Sequence, residues 1–186
     1  LIRNPDHEGE VLDAGAAEAA HVDLETDDDE RIADAVEGMD AIVFAAGAGP
    51  GSGNDRKETM DYGGAAKLIG AAQSAGAKRY VIVSSMGADP EHEGEETFDV
   101  YLRAKGRADA ELAESGLDFT VVRPGMLTND PATERVFLSE SGDRGSIPRA
   151  DVAAVLAETL VSDNTIGATF EAISGETPVE RAVRAV

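Results

Sequence analysis

Three apolar runs in this chain, Asp40–Ala46, Arg79–Ser85 and Asp118–Arg123, show no alternation of polar and apolar residues. A strand with one face in water alternates; a strand covered on both faces does not. Each of the first two runs is followed by a longer stretch of helical spacing, Asp55–Ala75 and Val100–Ser115, closed by Gly76 and Gly116. Strand, helix and strand in that order is the pattern of βαβ units on a parallel sheet. The expected fold class is therefore α/β, with a doubly wound parallel sheet.

The flanking segments extend this pattern. Ala16–Val22 reads as a short strand, and Thr26 or Asp27 can cap a helix that runs to about Val36 and stops at Gly38. Asp151 is placed to cap a helix through Leu160, Ala168–Ile173 reads as a strand, and Pro178 suits the first turn of a closing helix to Val186. No repeat and no linker divides the chain, so residues 1–186 are expected to form one domain. The stretch Asp89–Glu96 reads as an exposed acidic loop beside the site that the sheet presents.

Composition excludes several functions. Asp and Glu number 37 against 16 Lys and Arg, for a net charge of -21. Such a surface repels phosphates, so a nucleic-acid partner is not expected. The acidity is dispersed, which suits a protein adapted to high salt, where screening removes self-repulsion. There is no cysteine, which rules out disulfides and thiol chemistry within these residues. His7, His21 and His92 show no metal spacing, and no metal is assigned. No apolar run approaches the ~18 residues of a membrane span. The default location is cytoplasmic, and a homo-oligomer is compatible with the sequence. Aromatic residues are only 4 % of the chain, so small apolar residues, mainly Ala and Val, must build the core.

Tyr101 and Lys105 lie four apart in a helical stretch and so share a face. An ammonium beside a phenol favours the phenolate. Such a Tyr can exchange a proton with a carbonyl or alcohol. A lone pair of this kind is ordinarily a solvated helix face. The preceding strand, however, ends in Ser84 and Ser85, and the following strand ends in Pro124-Gly125. Ligands of parallel α/β sheets bind at the carboxyl ends of strands. Serine there also serves as a cap or turn residue, but the three features in this order make a more specific set.

These residues resemble an atypical short-chain dehydrogenase/reductase, of the NAD(P)-binding group called NmrA-like or epimerase-like. The resemblance also rests on Arg3-Asn4-Pro5, Val22-Asp23-Leu24, Val43–Gly47, Asp61–Gly64, Val83–Gly87 and Arg149–Ala153, which run in family order along nearly the whole chain. It implies a Rossmann-type sheet and a set of roles. Ser85, in preference to Ser84, would act with Tyr101 and Lys105 in catalysis. Arg3 would face the adenosine ribose and pair with a 2′-phosphate, which points to NADP rather than NAD. Asp23 and Leu24 would border the adenine. Ala45, Ala46 and Gly47 would let the backbone pass close to the cofactor. Asp61, Ser84, Tyr101, Lys105, Pro124 and Gly125 complete the cofactor set, and Asp61 stands where ordinary members carry Asn.

Residues 126–186 would form the small substrate side, with 130–147 as a modest lid. That is too little for a large second lobe, and a small carbonyl or alcohol substrate is expected. The alternative is a non-catalytic NAD(P)H-sensing protein. The family's first strand, glycine-rich loop and first helix would precede Leu1, so a segment of about 30 residues is expected to be missing. The glycine-rich stretch Gly47–Gly53 lacks the Lys-Ser/Thr ending of a phosphate loop. It reads as a flexible loop over the cofactor.

Overall fold

Successive residues of a strand point to opposite faces, and in this protein each face has its own core. The computed structural model describes residues 1–49, 51–142 and 144–186. Strands β1 (Ala41–Phe44), β2 (Arg79–Val83) and β3 (Asp118–Pro124) lie parallel and side by side. Ile42, Phe44, Tyr80, Ile82 and Val121 join one apolar cluster, whereas Val81 and Val122 join another. Two buried faces explain why the runs carry no polar alternation.

Helix α1 (Glu8–Asp13) lies outside both cores, with no buried residue. Helices α2 (Asp29–Asp34), α4 (Ala65–Ala75) and α5 (Thr97–Glu114) supply the first cluster, through residues such as Ile32, Leu68 and Leu112. Short α3 (Gly53–Arg56) leads towards α4. Helices α6 (Arg149–Leu160) and α7 (Val179–Val183) supply the second, through Val152, Val155 and Val183. Each large apolar side chain buried this way stabilises by about 1.5–3 kcal/mol.

The sheet continues through β7 (Ala168–Ser174), parallel to β3, and then β5 (Arg135–Ser139) and β8 (Thr177–Pro178). Strand β5 runs antiparallel to both β7 and β8. Strands β4 (Met126–Thr128) and β6 (Ser146–Pro148) form a separate parallel pair. The stretch expected as a simple lid therefore carries an antiparallel strand of the main sheet and half of a second small sheet.

Several boundaries differ from the sequence expectation. Ala16–Val22 is not a strand; only His21 pairs, as a single parallel bridge with Ile2. The helix before Gly38 is capped by Asp28, whose side chain accepts from the Arg31 amide, and not by Thr26 or Asp27. The expected helix over 55–75 is interrupted by a π-helical segment, Lys57–Gly64, before α4 ends at left-handed Gly76. Helix α5 begins before Val100 because Glu96 and Asp99 form a capping box. Helix α7 follows Pro178, which is its cap, and ends at Val183 instead of Val186.

Asp151 does not cap α6. It is the third residue of that helix and fully buried, and its carboxylate accepts from the Thr133 amide and hydroxyl and the Glu134 amide. This holds a turn in which Glu134 adopts a positive φ of 57°. Burial raises the Asp151 pKa, but these donors outweigh it and hold it below the ordinary carboxylate value.

Candidate functional site

The carboxyl ends of β1 and β2 open onto a pocket of about 600 Å³. Ala45, Ala46 and Gly47, which follow β1, line it together with Val83, which ends β2, and Ser84, which follows it. Helix α5 contributes Tyr101 and Lys105, and the π-helical segment contributes Lys57 and Asp61. The same three small residues, Ala45, Ala46 and Gly47, also line a neighbouring cleft of about 740 Å³. Across that cleft from β1 stand Arg3, Val22, Asp23 and Leu24. The cleft falls where the Rossmann order puts a strand between β1 and the Ile2–His21 bridge.

The sequence-selected residues therefore converge. Arg3, Asp23 and Leu24 meet Ala45–Gly47 at the cleft, and Ala45–Gly47 meet Asp61, Ser84, Tyr101 and Lys105 at the pocket. Three do not line either hollow. Ser85, the serine preferred for catalysis, lies one residue beyond Ser84 and is outside both linings. Pro124 ends β3, where its carbonyl accepts from the Met86 amide. Gly125 lies against the Gly145 carbonyl, where an added Cβ would stand 2.3 Å from the oxygen. Within Gly47–Gly53, Gly47, Gly49 and Gly51 line the pocket, and Pro50 is outside the described residues.

The two serines face different partners. Ser84 is buried and its hydroxyl donates to Asp109 Oδ2 at 2.8 Å. Ser85 is half-buried; its hydroxyl donates to the Met86 carbonyl at 3.3 Å and pulls the Tyr101 phenol pKa down. That is not enough to set the direction. Burial raises the Tyr101 pKa, Asp61 and Asp109 raise it further, and the net shift is upward.

The sequence expectation was that Lys105 would lower it, and the structure corrects this. Lys105 is 2 % exposed. Burial lowers its own pKa, while the carboxylates of Asp61 and Asp109 hold its charge. Its ammonium lies 5.3 Å from the centre of the Phe44 ring. The cation is thus balanced by two acids rather than spent on the phenol.

Sequence reasoning missed three members of this cluster. Lys57 is buried, 3.7 Å from Asp61 Oδ2, and donates to the Gly49 carbonyl at 2.8 Å. Asp109 pairs with Arg123 at 2.8 Å, while its Oδ1 has no hydrogen-bond partner. Burial raises the pKa of both Asp61 and Asp109. The available signal was spacing: Lys57 precedes Asp61, and Lys105 precedes Asp109, by one helical turn. At the cleft, the Glu25 carboxylate accepts from Arg3 at 3.2 Å, from Arg56 and from Thr59 at 2.7 Å. Arg56 and Glu25 carried no role in the sequence reading.

The residues fit a dinucleotide on one observation in particular. The wall shared by the two hollows has no bulk: at Gly47 even a Cβ would stand 2.9 Å from Asp61 Oδ1. Among the described residues no group of His, Cys, Asp or Glu is arranged to hold a metal ion, and no helix is long and apolar enough to cross a membrane.

The comparisons with known proteins agree with this arrangement. The profile of a family described as NAD(P)H-binding matches residues 1–163. The uncharacterized sugar epimerase YhfK of Bacillus subtilis is 39 % identical, over 97 % of this chain and 89 % of its own length. A solved structure from Bacillus halodurans, named as a candidate NAD-dependent epimerase/dehydratase, is 40 % identical with a TM-score of 0.90, covering 100 % of this chain and 86 % of that one. A short-chain dehydrogenase/reductase of Veillonella parvula, solved in complex with NADP, shares the fold at 18 % identity and a TM-score of 0.67, covering 91 % of this chain and 77 % of that one.

Proposed function

The chain belongs to the NAD(P)H-binding family of Rossmann-type proteins, and from that premise we propose that it is an NADP-dependent oxidoreductase or epimerase-like enzyme acting on a small carbonyl or alcohol. The observation that carries this reading is the meeting of Tyr101, Lys105 and the Ala45–Gly47 strip in one pocket at the strand ends. Ala45, Ala46, Gly47 and Asp61 would hold the nicotinamide side, and Asp23, Leu24 and Arg3 the adenosine side. Bound nicotinamide dinucleotide would supply or accept hydride.

The protein's own groups handle the proton. Tyr101, held above the ordinary phenol value first by burial, is protonated at neutral pH and ready to donate to a carbonyl oxygen. The Ser85 hydroxyl favours the phenolate left behind. Burial lowers the Lys105 pKa, and the charges of Asp61 and Asp109 oppose that lowering. The protonated Tyr101 suits reduction of a carbonyl.

The preference for NADP is supported by Arg3 and Arg56. Both line the cleft and converge on one carboxylate, that of Glu25, so the local donors already suit an anion. A second reading, NAD(P)H sensing without catalysis, is favoured by the engagement of Lys105 with two carboxylates. Oxidation of NADPH by 9,10-phenanthrenequinone separates the two. Under the enzyme reading Tyr101→Phe loses turnover and keeps NADPH binding. Absence of turnover in the unaltered protein, with NADPH bound, supports sensing.

A further inference from the structure

Three cations line the pocket: Lys57, Lys105 and Arg149. The two lysines are compensated, Lys57 by Asp61 at 3.7 Å and Lys105 by the charges of Asp61 and Asp109. Arg149 differs. It is exposed at the start of α6, and its Nη1 donates to the neutral Asn129 Oδ1 at 3.3 Å. Among the described residues no carboxylate lies within ion-pair distance of its guanidinium. Among the described residues Arg149 is thus the pocket-lining cation without a nearby carboxylate.

The pocket that Arg149 lines also carries open apolar side chains. Leu127 is 38 % exposed and Phe98 is 60 % exposed. The Phe98 ring stacks on Tyr101 with centroids 5.9 Å apart, so the apolar surface leads directly to the phenol. A ligand in this pocket meets a flat aromatic ring, a Leu side chain and a guanidinium with no acidic partner among the described residues.

We propose that Arg149 and Phe98 make this pocket selective for a planar aromatic carbonyl compound that carries an anionic group, the ring packing on Phe98 and Leu127 and the anion pairing with Arg149. A guanidinium binds a carboxylate through two parallel N–H···O bonds, which fixes orientation as well as charge. Such a contact acts at short range, and it operates under high salt where the repulsion from distant acids is screened. The assignment rests on this pocket being the substrate site, and names the class of substrate it takes.

The test uses inert probes, so that it does not depend on turnover. 2-Naphthoate and 2-naphthamide have the same ring system, one charged and one neutral. Titration calorimetry should show naphthoate binding at least about tenfold tighter than naphthamide. Arg149→Gln should remove that ratio while leaving naphthamide binding unchanged, and Arg149→Lys should keep part of it. Arg149 is exposed, so these variants should fold, and their unfolding midpoints check this. NADPH titration of the same samples reports on the dinucleotide reading separately: NADPH binding without naphthoate preference overturns the substrate class alone. Equal binding of the two probes, binding of neither, or a preference that survives Arg149→Gln each overturns the proposal.

Discussion

The Lys57 ammonium stands 5.4 Å from the centre of the Tyr101 ring and 3.7 Å from Asp61 Oδ2. One buried cation thus touches both the proposed proton donor and the acid beside it. Removing one partner of a buried pair leaves the other charge uncompensated, which costs about 3–5 kcal/mol. Lys105 still offsets Asp61, so Lys57→Met should cost the lower end of that range, and adding Asp61→Asn should recover part of the loss. Urea unfolding of the single and double variants measures both. Equal, additive losses would show that the pair is not coupled.

Tyr101 sets the pH dependence. Burial raises its pKa, Asp61 and Asp109 add to this, and Ser85 offsets part. A donor must hold its proton, so the rate of carbonyl reduction stays level through neutral pH. It falls only as pH rises past the raised value, above the ~10 of a free phenol. A fall in the rate between about pH 7 and about pH 9 would contradict this direction.

Asp151 holds the Thr133–Glu134 turn with its buried carboxylate. Asp151→Ala removes the acceptor for two amides and a hydroxyl, and should cost about 3 kcal/mol. Because its pKa is lowered in the fold, the stabilisation is present above the unfolded value and is lost as pH falls through the folded one. Unfolding midpoints of wild type and variant should therefore converge in acid. A constant gap down to pH below about 3 would remove the charge from the explanation.

Gly106 is where the acidic loop meets α5. An added Cβ would stand 2.2 Å from the Asp89 carbonyl carbon and 2.3 Å from Pro90 N. These are backbone atoms and must move, so Gly106→Ala should destabilise by about 1–3 kcal/mol despite alanine's better helix propensity. A thermal midpoint at or above that of the wild type would contradict the close approach.

The net charge of -21 predicts a response to salt. Screening at 1 M, where the Debye length is about 3 Å, relieves repulsion between surface carboxylates. The thermal midpoint should rise steadily from low salt to molar KCl. No change would mean that the acidity carries no adaptation to salt.

The parallel sheet was legible because its apolar runs serve two cores at once, a demand that leaves no room for polar alternation. The pocket was legible because Ser84, Tyr101 and Lys105 lie on a strand end and a helix face that any parallel sheet brings together, although Ser85, the serine preferred from the sequence, is outside its lining. The electrostatics were not. Whether Lys105 acts on Tyr101 depends on Asp61 and Asp109, and only packing decides which charge lies nearest. Arg149 was visible as part of a motif, but its lack of an acidic partner is a property of three dimensions. The π-helical segment that carries Lys57 and Asp61 has no distinct periodicity to betray it, and Asp151 looked like a cap because its actual partners, Thr133 and Glu134, are remote in sequence.

The central claim is that the pocket and the residues at the strand-end rim of the cleft, Arg3, Asp23, Leu24 and Ala45–Gly47, together hold a nicotinamide dinucleotide, with Arg3 reading its 2′-phosphate. Fluorescence titration with NADPH and with NADH, in high salt, tests this most directly. The account predicts that NADPH binds more tightly than NADH and that Arg3→Ala narrows the difference by weakening NADPH alone. Binding of neither dinucleotide would contradict the account, and equal binding unaffected by Arg3→Ala would remove the 2′-phosphate from it.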